Sequence, residues 1–542
     1  MNVDLMCPVT THAALERAAM IGPDVEAVVS DGKRVTYSQM AARVSQIRSA
    51  MHANGISRGQ HVALCLGNGP EWVALFLAAT SLGAVVVPIN TRFRAAEIAF
   101  VLNQSKCTVL FTVDKFLRVD FIEMLREIHP AIDGKPQDQS LPSLSTVVVL
   151  GSDVPPGALS FEDYLAAGAG QNTAPTAQPG DAALIQYTSG TTSFPKGVLL
   201  THRSLCADSF VSGGRMGLRV ADRFHSARPF FHVAGSSLSV LSCIQHVSTL
   251  VTMPRFEPGL ALELFEQERC THFSGNDTIA LMLLNHPDRP KRKMHLRGAW
   301  VAASPTIVRR VIDELGAVEA VVGYGLSEAS PNVAQSCWWE DVETRVSGRM
   351  LPEPGVEIKI VKASSDATAA DAAAGSGVVG EIFVRGWNVM QGYYDLPKET
   401  AAALDASGWL RTGDLGCVDE TGRLTFVGRA KEIIRVGGEN VAPSEVEDIL
   451  HRHPQIRLAI VVGVPDERLI EVPFAFVQLR SGESATSEAI REWAKQNMAG
   501  FKVPHYVDIV ENFESIGMTA SSKVQKSSAA DHARKIIAEG AK

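Results

Sequence analysis

The segment Tyr187-Thr-Ser-Gly-Thr-Thr-Ser-Phe-Pro-Lys-Gly197 is the most informative stretch of the chain. Backbone N–H groups and hydroxyls in such a loop can bind an oxyanion, and a lysine can offset the charge of a phosphate. Pro195 stands where a Walker A loop would have its second glycine, so that motif is excluded. The apolar runs ALIQY before the loop and VLLTH after it indicate two strands. We therefore interpret the segment as a phosphate-binding loop rather than an ordinary polar turn.

Composition narrows the class of protein. The chain has 542 residues, of which 46% are hydrophobic and 20% charged, with a formal net charge of −8. This apolar content excludes intrinsic disorder, and the acidic balance argues against a nucleic-acid partner. The eight cysteines are scattered without a C-x-x-C pair, which argues against a disulfide framework and structural zinc. Because the first 15 residues also lack the pattern of a signal peptide, we predict a cytoplasmic protein.

One stretch of the sequence is apolar enough to resemble a membrane segment. Residues 72–87 (WVALFLAATSLGAVVV) are almost wholly apolar. The stretch contains Gly83, ends at Pro88 and is shorter than the roughly 20 residues that span a bilayer. It therefore predicts a buried helix followed by a core strand, and no membrane span.

The order of elements predicts the fold class. Short β-branched strands alternate with helical stretches over the first 350 residues, which is typical of mostly parallel sheets. After about residue 380 the chain changes to short strands and turns, and the last 110 residues alternate helices with strands. We predict an α/β fold with a large N-terminal lobe over 1–430, in which helices sandwich parallel-rich sheets, plus a β-subdomain. A small α+β C-terminal domain follows over 431–542.

Several further motifs occur between the loop and the C-terminus. VAASP (301–305) is a run of small residues, and GYGLSE (323–328) follows an apolar strand and ends in a carboxylate. GWLRTGDL (408–415) carries an aspartate in a T-G-D turn. In GGENVAPSEVE (437–447) the pattern predicts that Ser444 and Glu447 form a capping box. The remaining motifs are PFFHVAG (229–235), GRAKEII (428–434) and MTASSKVQK (518–526).

Together these motifs resemble those of the adenylate-forming superfamily, which includes acyl-CoA synthetases, adenylation domains and luciferases. The resemblance spans roughly residues 30 to 526. Ser193, Gly517 and Ser522 depart from the family pattern, and Ser327 replaces the commoner threonine. The runs RGWNVMQGYYD (385–395) and HRHPQIRLAIVVGVPDE (451–467) look more like those of fatty-acid and organic-acid CoA ligases than those of peptide-synthetase adenylation domains.

The resemblance implies an AMP-forming acyl-CoA synthetase that uses ATP, Mg²⁺ and coenzyme A, with a mobile C-terminal domain. Lys523, Glu328 and His232 would be catalytic, and Glu328 would also hold the metal. Lys431 would be the hinge, and Gly437 and Gly438 would line the CoA channel. The ATP-binding residues would be Thr188, Ser189, Gly190, Thr191, Thr192, Lys196, Ala303, Ser304, Gly323, Tyr324, Gly325, Ser327, Asp414 and Arg429.

The acyl group is less determined by sequence. The pocket candidates are His232, Ala234, Gly235, Ser236, Asn276 and Leu326, a mixture of small and polar residues. They favour a medium-chain, branched, cyclic or aromatic acid over a long straight chain. Three alternatives stay open: a stand-alone adenylation enzyme that loads a carrier protein, a serine hydrolase built on GLSEA (325–329), and a non-catalytic nucleotide-binding module. A homodimer also stays open.

Overall fold

A computed structural model describes residues 4, 6–135, 140–188, 195–362, 374–519 and 523–540. The predicted loop residues Ser189, Gly190, Thr191 and Thr192 therefore lie outside the described residues, as do Ser193 and Ser522.

Strands occur along the whole described chain. In chain order they are β1 Glu26–Ser30, β2 Lys33–Thr36, β3 His61–Cys65, β4 Val85–Pro88, β5 Val109–Thr112, β6 Lys115–Phe116, β7 Val119–Asp120, β8 Thr146–Val149, β9 Leu159–Ser160, β10 Ala182–Thr188, β11 Lys196–Thr201, β12 Arg223–His225, β13 Thr249–Thr252, β14 His272–Asn276, β15 Gly298–Ala302, β16 Val321–Gly325, β17 Asn332–Gln335, β18 Arg349–Pro352, β19 Glu357–Val361, β20 Gly380–Arg385, β21 Gly392–Tyr393, β22 Leu410–Val418, β23 Leu424–Arg429, β24 Ile434–Val436, β25 Glu439–Val441, β26 Ile456–Asp466, β27 Ile470–Leu479 and β28 Tyr506–Ile509.

Helices connect most of the parallel strands. In chain order they are α1 Thr11–Ile21, α2 Tyr37–Ala53, α3 Pro70–Ser81, α4 Ala95–Gln104, α5 Phe121–Ile128, α6 Phe161–Ala166, α7 His202–Met216, α8 Val233–Gly235, α9 Ser242–His246, α10 Pro258–Gln267, α11 Asp277–Leu284, α12 Pro305–Leu315, α13 Val342–Val346, α14 Pro397–Ala403, α15 Pro443–Leu450, α16 Ser487–Asn497, α17 Glu514–Gly517 and α18 Lys526–Gly540. A π-helical turn over Ser236–Leu241 joins α8 to α9.

Two large sheets form the main lobe. One has the order β19-β20-β22-β23-β18-β17-β16-β15-β14-β12-β13-β1-β2, and the other β21-β11-β10-β4-β3-β5-β8-β9. Strands β1 and β12–β16 pair in parallel, as do β3–β5, β8, β9 and the β4–β10 pair. From β16 onward the first sheet is antiparallel. This confirms the predicted fold class, including the β-subdomain.

The chain from β24 onward forms a third sheet of order β25-β24-β27-β26, with β28 paired to β27. Its strands and α15–α16 enclose an apolar cluster that includes Val446, Ile456, Val461, Ala475 and Ile490. The predicted strands at 458–464 and 474–479 are therefore present, within β26 and β27, and the segment has an apolar cluster of its own.

The apolar stretch at 72–87 forms α3 and β4, as predicted. Its side chains are buried because α3 packs against α2 and β4 lies inside the second sheet. Among the described residues, no helix is both long and apolar enough to cross a membrane.

One local prediction is wrong. Helix α15 begins with Ala442 as its N-cap and Pro443 at the first position, without a side-chain cap. The hydroxyl of Ser444 instead donates to the carbonyl oxygen of Val427 at 2.9 Å, and Glu447 accepts from the N–H of Val461 at 2.8 Å. The sequence contains the residues of a capping box, but in the fold both side chains bind partners outside their own helix.

Candidate active site

The predicted site residues gather where strands of the large sheets end. Asn276, Ala302 and Gly325 are the last residues of β14, β15 and β16, which are parallel neighbours in one sheet. Thr188 ends β10 in the other sheet, paired with Lys196 of β11. In open α/β sheets, ligands bind outside the carboxyl ends of parallel strands. The fold therefore provides a binding edge at the position that the motifs indicate.

Neighbouring atoms leave no room for a side chain at two glycines of β16, Gly323 and Gly325. A Cβ on Gly325 would lie 1.8 Å from the carbonyl oxygen of Pro331, and one on Gly323 would lie 2.5 Å from the Trp300 ring. The GYG sequence is thus needed for packing as well as for ligand approach.

Tyr324 lies between these glycines and connects to the β-subdomain. Its hydroxyl donates to Oδ2 of Asp414 at 2.8 Å, and its ring stacks on Phe426 with 5.2 Å between centroids. Arg429 pairs with Asp414 across β22–β23, with its Nε 3.6 Å from Oδ1. Burial raises the pKa of Asp414, while Arg429 and the hydrogen bond from Tyr324 oppose the rise. The group offers an aromatic ring, a carboxylate and a guanidinium side by side.

Glu328 lies in a 3-10 turn, Ser327–Ala329, after β16. Its Oε1 accepts from the hydroxyl of Tyr393 at 2.9 Å, and the ammonium of Lys196 lies 5.0 Å from the centroid of the same tyrosine ring. Tyr393 therefore links the lysine of the phosphate loop to the predicted metal ligand. Lys196 and Tyr393 also line a cavity of about 510 Å³, with Arg411, Thr412 and Gly413.

Lys523 approaches this edge from the C-terminal segment. The side chain of Lys523 is exposed to solvent. Neighbouring groups still desolvate its ammonium, and this desolvation lowers its pKa. Arg429 and Lys526 lower the pKa further, while Glu432 and Asp277 oppose them. The same ammonium acts on the pKa values of Asp414 and His232. The charge of Lys523 thus acts on residues that the motifs assign to the nucleotide and the acid.

His232 is the N-cap of the short helix α8. Its Nδ1 accepts from the N–H of Ala234 at 3.2 Å, which places the proton of the neutral ring on Nε2. Desolvation lowers its pKa to about 4, and the positive charges of Arg228 and Lys523 act in the same direction. His232 is therefore neutral at pH 7 and suited to donate a hydrogen bond from Nε2.

Carboxylates hold the turn between β15 and α12 from two sides. Oδ1 of Asp277 accepts from the N–H of Ser304 at 3.0 Å. Oδ1 of Asp448, on α15, accepts from the N–H of Thr306 at 3.2 Å, and Arg452 joins Asp448 to the Thr306 hydroxyl. The turn that contains Ala303 and Ser304 is therefore held by Asp277 at Ser304 and by Asp448 at Thr306.

Of the predicted acyl-pocket residues, His232, Ala234, Gly235 and Ser236 lie in or beside α8, and Asn276 and Leu326 lie where β14 and β16 end. Ala234, Gly235 and Ser236 are buried, Leu326 is half-buried, and Asn276 caps α11 through its Oδ1. Gly437 and Gly438 lie apart, on the exposed turn between β24 and β25, with φ of +58° and +98°. Lys431 is exposed in the turn Ala430–Glu432, between β23 and β24. The two glycines thus lie on an exposed turn, whereas the charge of Lys523 acts on the pKa values of Asp414 and His232.

A sequence model of AMP-binding enzymes matches residues 15–394, and one of the AMP-binding enzyme C-terminal domain matches residues 445–523. The chain belongs to the AMP-binding enzyme family. The resemblance to the adenylate-forming superfamily, and within it to AMP-forming acyl-CoA synthetases, is thereby confirmed.

Curated relatives cover nearly the whole chain. A Rhodococcus jostii protein named 3-[(3aS,4S,7aS)-7a-methyl-1,5-dioxo-octahydro-1H-inden-4-yl]propanoyl:CoA ligase is 34% identical, over 96% of this chain and 98% of its own. The human medium-chain acyl-CoA ligase ACSF2, mitochondrial, is 31% identical, over 95% of this chain and 86% of its own. Both proteins are relatives of this chain.

Solved structures agree in fold. The anthranilate CoA ligase AuaEII in complex with anthranoyl-AMP superposes with a TM-score of 0.86 at 23% identity, over 99% of this chain and 100% of that chain. The amide bond synthetase McbA from Marinactinospora thermotolerans gives a TM-score of 0.78 at 26% identity, over 96% and 99%. The AMP-binding enzyme fold therefore extends over both lobes.

Glu328 is the one predicted protein ligand for a metal ion. Among the described residues, no cluster of three or more His, Cys, Asp or Glu could hold a metal ion. Glu328 alone suits Mg²⁺, because that ion takes its remaining ligands from phosphates and water.

GLSEA continues from its 3-10 turn into β17 rather than into a helix, which is unlike the strand-to-helix elbow of a serine hydrolase.

Sequence reasoning missed four residues of this region: Tyr393, Asp277, Asp448 and Arg228. Tyr393 lies in the quoted run 385–395, but only the pairing of β21 with β11 brings it to Lys196. The Asn-Asp pair at 276–277, directly after a strand, was the available signal for Asp277. The other two contacts join segments more than 40 residues apart.

Proposed function

We propose that this AMP-binding enzyme is an acid–thiol ligase, an AMP-forming acyl-CoA synthetase. The observation that carries the proposal is the group formed by Tyr324, Asp414 and Arg429, and the charge of Lys523 acts on its carboxylate. A cation from the C-terminal segment beside a nucleotide site is what joining a carboxylate to ATP requires.

In the first half-reaction, a carboxylate oxygen attacks the α-phosphorus of ATP. The bond to the bridging oxygen breaks, and pyrophosphate leaves with the electron pair. Both reactants are anionic, so the site must neutralise their repulsion and align them. Lys523 and Lys196 supply positive charge, and the predicted loop 189–192 would add N–H donors. Mg²⁺, held by Glu328, would offset phosphate charge.

The nucleotide is held by the remaining predicted residues. Asp414 accepts from the ribose hydroxyls, with Arg429 beside it, and Tyr324 contacts the adenine. Ser327 lies beside the α-phosphate. Ala303 and Ser304 supply the flat backbone wall, and Gly323 and Gly325 lie on either side of Tyr324 in β16.

In the second half-reaction, the sulfur of coenzyme A attacks the acyl carbon and the carbon–oxygen bond to AMP breaks. The thiol proton passes to solvent. We propose that the domain of residues 431–542 turns about Lys431 on the lobe of residues 1–430, so that Gly437 and Gly438 replace Lys523. The exposed position of both glycines in the present arrangement supports such an exchange.

We propose a medium-chain, branched, cyclic or aromatic acid as substrate. The names of the relatives, which include a medium-chain and a polycyclic acyl-CoA ligase, support this range. A stand-alone adenylation enzyme is the second candidate, because an amide bond synthetase shares the fold over 96% of the chain. A cytoplasmic location and a homodimer remain proposals from the sequence.

One assay tests the function. Pyrophosphate release from Mg·ATP is measured over a panel of carboxylic acids, with and without coenzyme A, and thioester formation is followed in parallel. A ligase releases pyrophosphate with a suitable acid and forms thioester only with coenzyme A. Pyrophosphate without thioester would favour the adenylation enzyme, and release of neither product with any acid would contradict both.

A further inference from the structure

Arg228 is a buried cation beside the predicted acyl pocket. It lies between β12 and α8 and is 9% exposed. Its Nε donates to the Ser274 hydroxyl at 2.6 Å, and its Nη2 donates to the carbonyl oxygen of Gly275 at 2.7 Å. The guanidinium carbon lies 4.9 Å from the centroid of the Trp300 ring. These contacts fix the orientation of the side chain.

The guanidinium lacks a carboxylate partner. Within the part of the chain that the structure describes, no Asp or Glu lies within ion-pairing distance of it, and the partners of its N–H groups are one hydroxyl and one carbonyl. A guanidinium has five N–H donors, so further donors remain for a ligand. Burial alone lowers its pKa to about 10, so it keeps its charge at pH 7. A buried charge without a counter-ion is costly and therefore rare.

The position of Arg228 relates it to the acid rather than to the nucleotide. Gly275 directly precedes Asn276, at the ligand edge of β14. Trp300 lies on the neighbouring strand β15. Its ring packs directly against Gly323, where a Cβ would lie only 2.5 Å from it. The positive charges of Arg228 and Lys523 both lower the pKa of His232. The pKa of one imidazole thus responds both to Lys523, the proposed cation for the reacting carboxylate, and to a second, separate cation.

The wall behind Trp300 is polar. The indole Nε1 donates to Oε1 of Gln335 at 3.2 Å, and the same oxygen accepts from the Ser212 hydroxyl at 2.7 Å and from Asn332 at 2.8 Å. This network fixes the indole of Trp300, over which the guanidinium of Arg228 lies.

We propose that Arg228 binds an oxygen acceptor at the far end of the acyl group. The preferred substrates are then carboxylic acids that carry a second oxygen function, either a carbonyl or a second carboxylate, remote from the reacting carboxylate. Both present acceptor oxygens to a guanidinium held against an aromatic ring. This inference rests on the proposed function, because it names the acid that the ligase activates.

The first test uses the unmodified protein. Pyrophosphate release and thioester formation are measured for sets of three acids of equal chain length: an alkanoic acid, its terminal oxo analogue and its terminal carboxy analogue. We expect kcat/KM to be about 10- to 100-fold higher for one oxygenated acid than for the alkanoic acid, because hydrogen bonds to a charged group are strong. The better of the two identifies carbonyl or carboxylate recognition.

The second test changes the residue. Arg228→Leu is expected to lower kcat/KM for the oxygenated acid about 10- to 100-fold, mainly through KM, and to leave the KM for ATP unchanged. Arg228→Lys should restore part of the loss, since it keeps the charge. Arg219→Leu is the matched control, because Arg219 also lies over a tryptophan ring, that of Trp338, but is half-exposed outside the site.

The outcomes separate this inference from the proposed function. If no acid supports pyrophosphate release, the proposed function fails first. If acids are activated but the alkanoic acid is equal or better, the inference is wrong and the ligase assignment stands. If Arg228→Leu folds, as judged by its melting temperature, and keeps the wild-type ranking of acids, Arg228 is structural only. If that variant does not fold, the ranking by the unmodified protein decides.

Discussion

The hydroxyl of Tyr324 donates a 2.8 Å hydrogen bond to the carboxylate of Asp414, across 90 residues of sequence. This bond joins the last parallel strand of the large sheet to the β-subdomain. Because Asp414 is 6% exposed, its carboxylate is oriented before any ligand arrives.

Asp414→Asn should raise the KM for ATP about 10- to 100-fold, because an amide replaces one acceptor oxygen and removes the charge that binds the ribose hydroxyls. The KM for the acid should change little. Initial rates of pyrophosphate release at varied ATP measure the effect. Asp395→Asn is the control, since Asp395 pairs with Lys106 on the surface, where an ion pair contributes little. An unchanged KM for ATP in Asp414→Asn would remove Asp414 from the nucleotide site.

Lys523→Ala should abolish adenylation and leave thioester formation from supplied acyl-AMP largely intact, because the lysine is needed only while carboxylate and α-phosphate are joined. The two half-reactions are measured separately, by pyrophosphate release and by thioester formation. Lys535→Ala, on the exposed side of α18, serves as the control. Equal loss of both half-reactions would contradict the exchange of domains.

Asp448→Asn should slow adenylation several-fold. Its carboxylate caps the N-terminus of α12 from the other lobe, and an N-terminal cap contributes about 1 kcal/mol. Losing it weakens the arrangement that holds Lys523 in place, so thioester formation from supplied acyl-AMP should be spared. Glu445→Gln is the control, since Glu445 lies on the same helix but pairs with Lys502 within the C-terminal segment. The same loss in both variants would show that α15, and not the cap, is responsible.

Asp277→Asn should change the pH dependence of stability. Burial raises the pKa of Asp277 to about 6, so the folded state favours the protonated carboxyl. Its stabilisation is fully present below the unfolded pKa of about 3.9 and is lost as pH rises through 6. The melting temperature of the wild type relative to the variant should therefore fall from pH 4.5 to 7 and then stay level. A constant difference over this range would show that the carboxyl has an ordinary pKa.

Much of the fold was predictable because it depends on local pattern. The apolar run at 72–87 gives α3 and β4, since burial of a continuous apolar surface decides both elements. Strands at 458–464 and 474–479 follow from their alternation and β-branched residues, and pair as β26 and β27. The capping box at 444–447 failed for the opposite reason. Ser444 and Glu447 find stronger partners in Val427, Val461 and Lys526 than in their own helix.

The sequence by itself determined the family, the parallel-rich α/β lobe and the residue types that carry the chemistry, because those depend on short motifs and hydrophobic periodicity. Only the tertiary structure decided which side chains meet. Tyr393 reaches Glu328 through the pairing of β21, Asp448 caps a helix of the other lobe, and Arg228 reaches Ser274 without an acidic partner among the described residues. Such contacts depend on how distant segments pack, and burial and charge at these places follow from that packing.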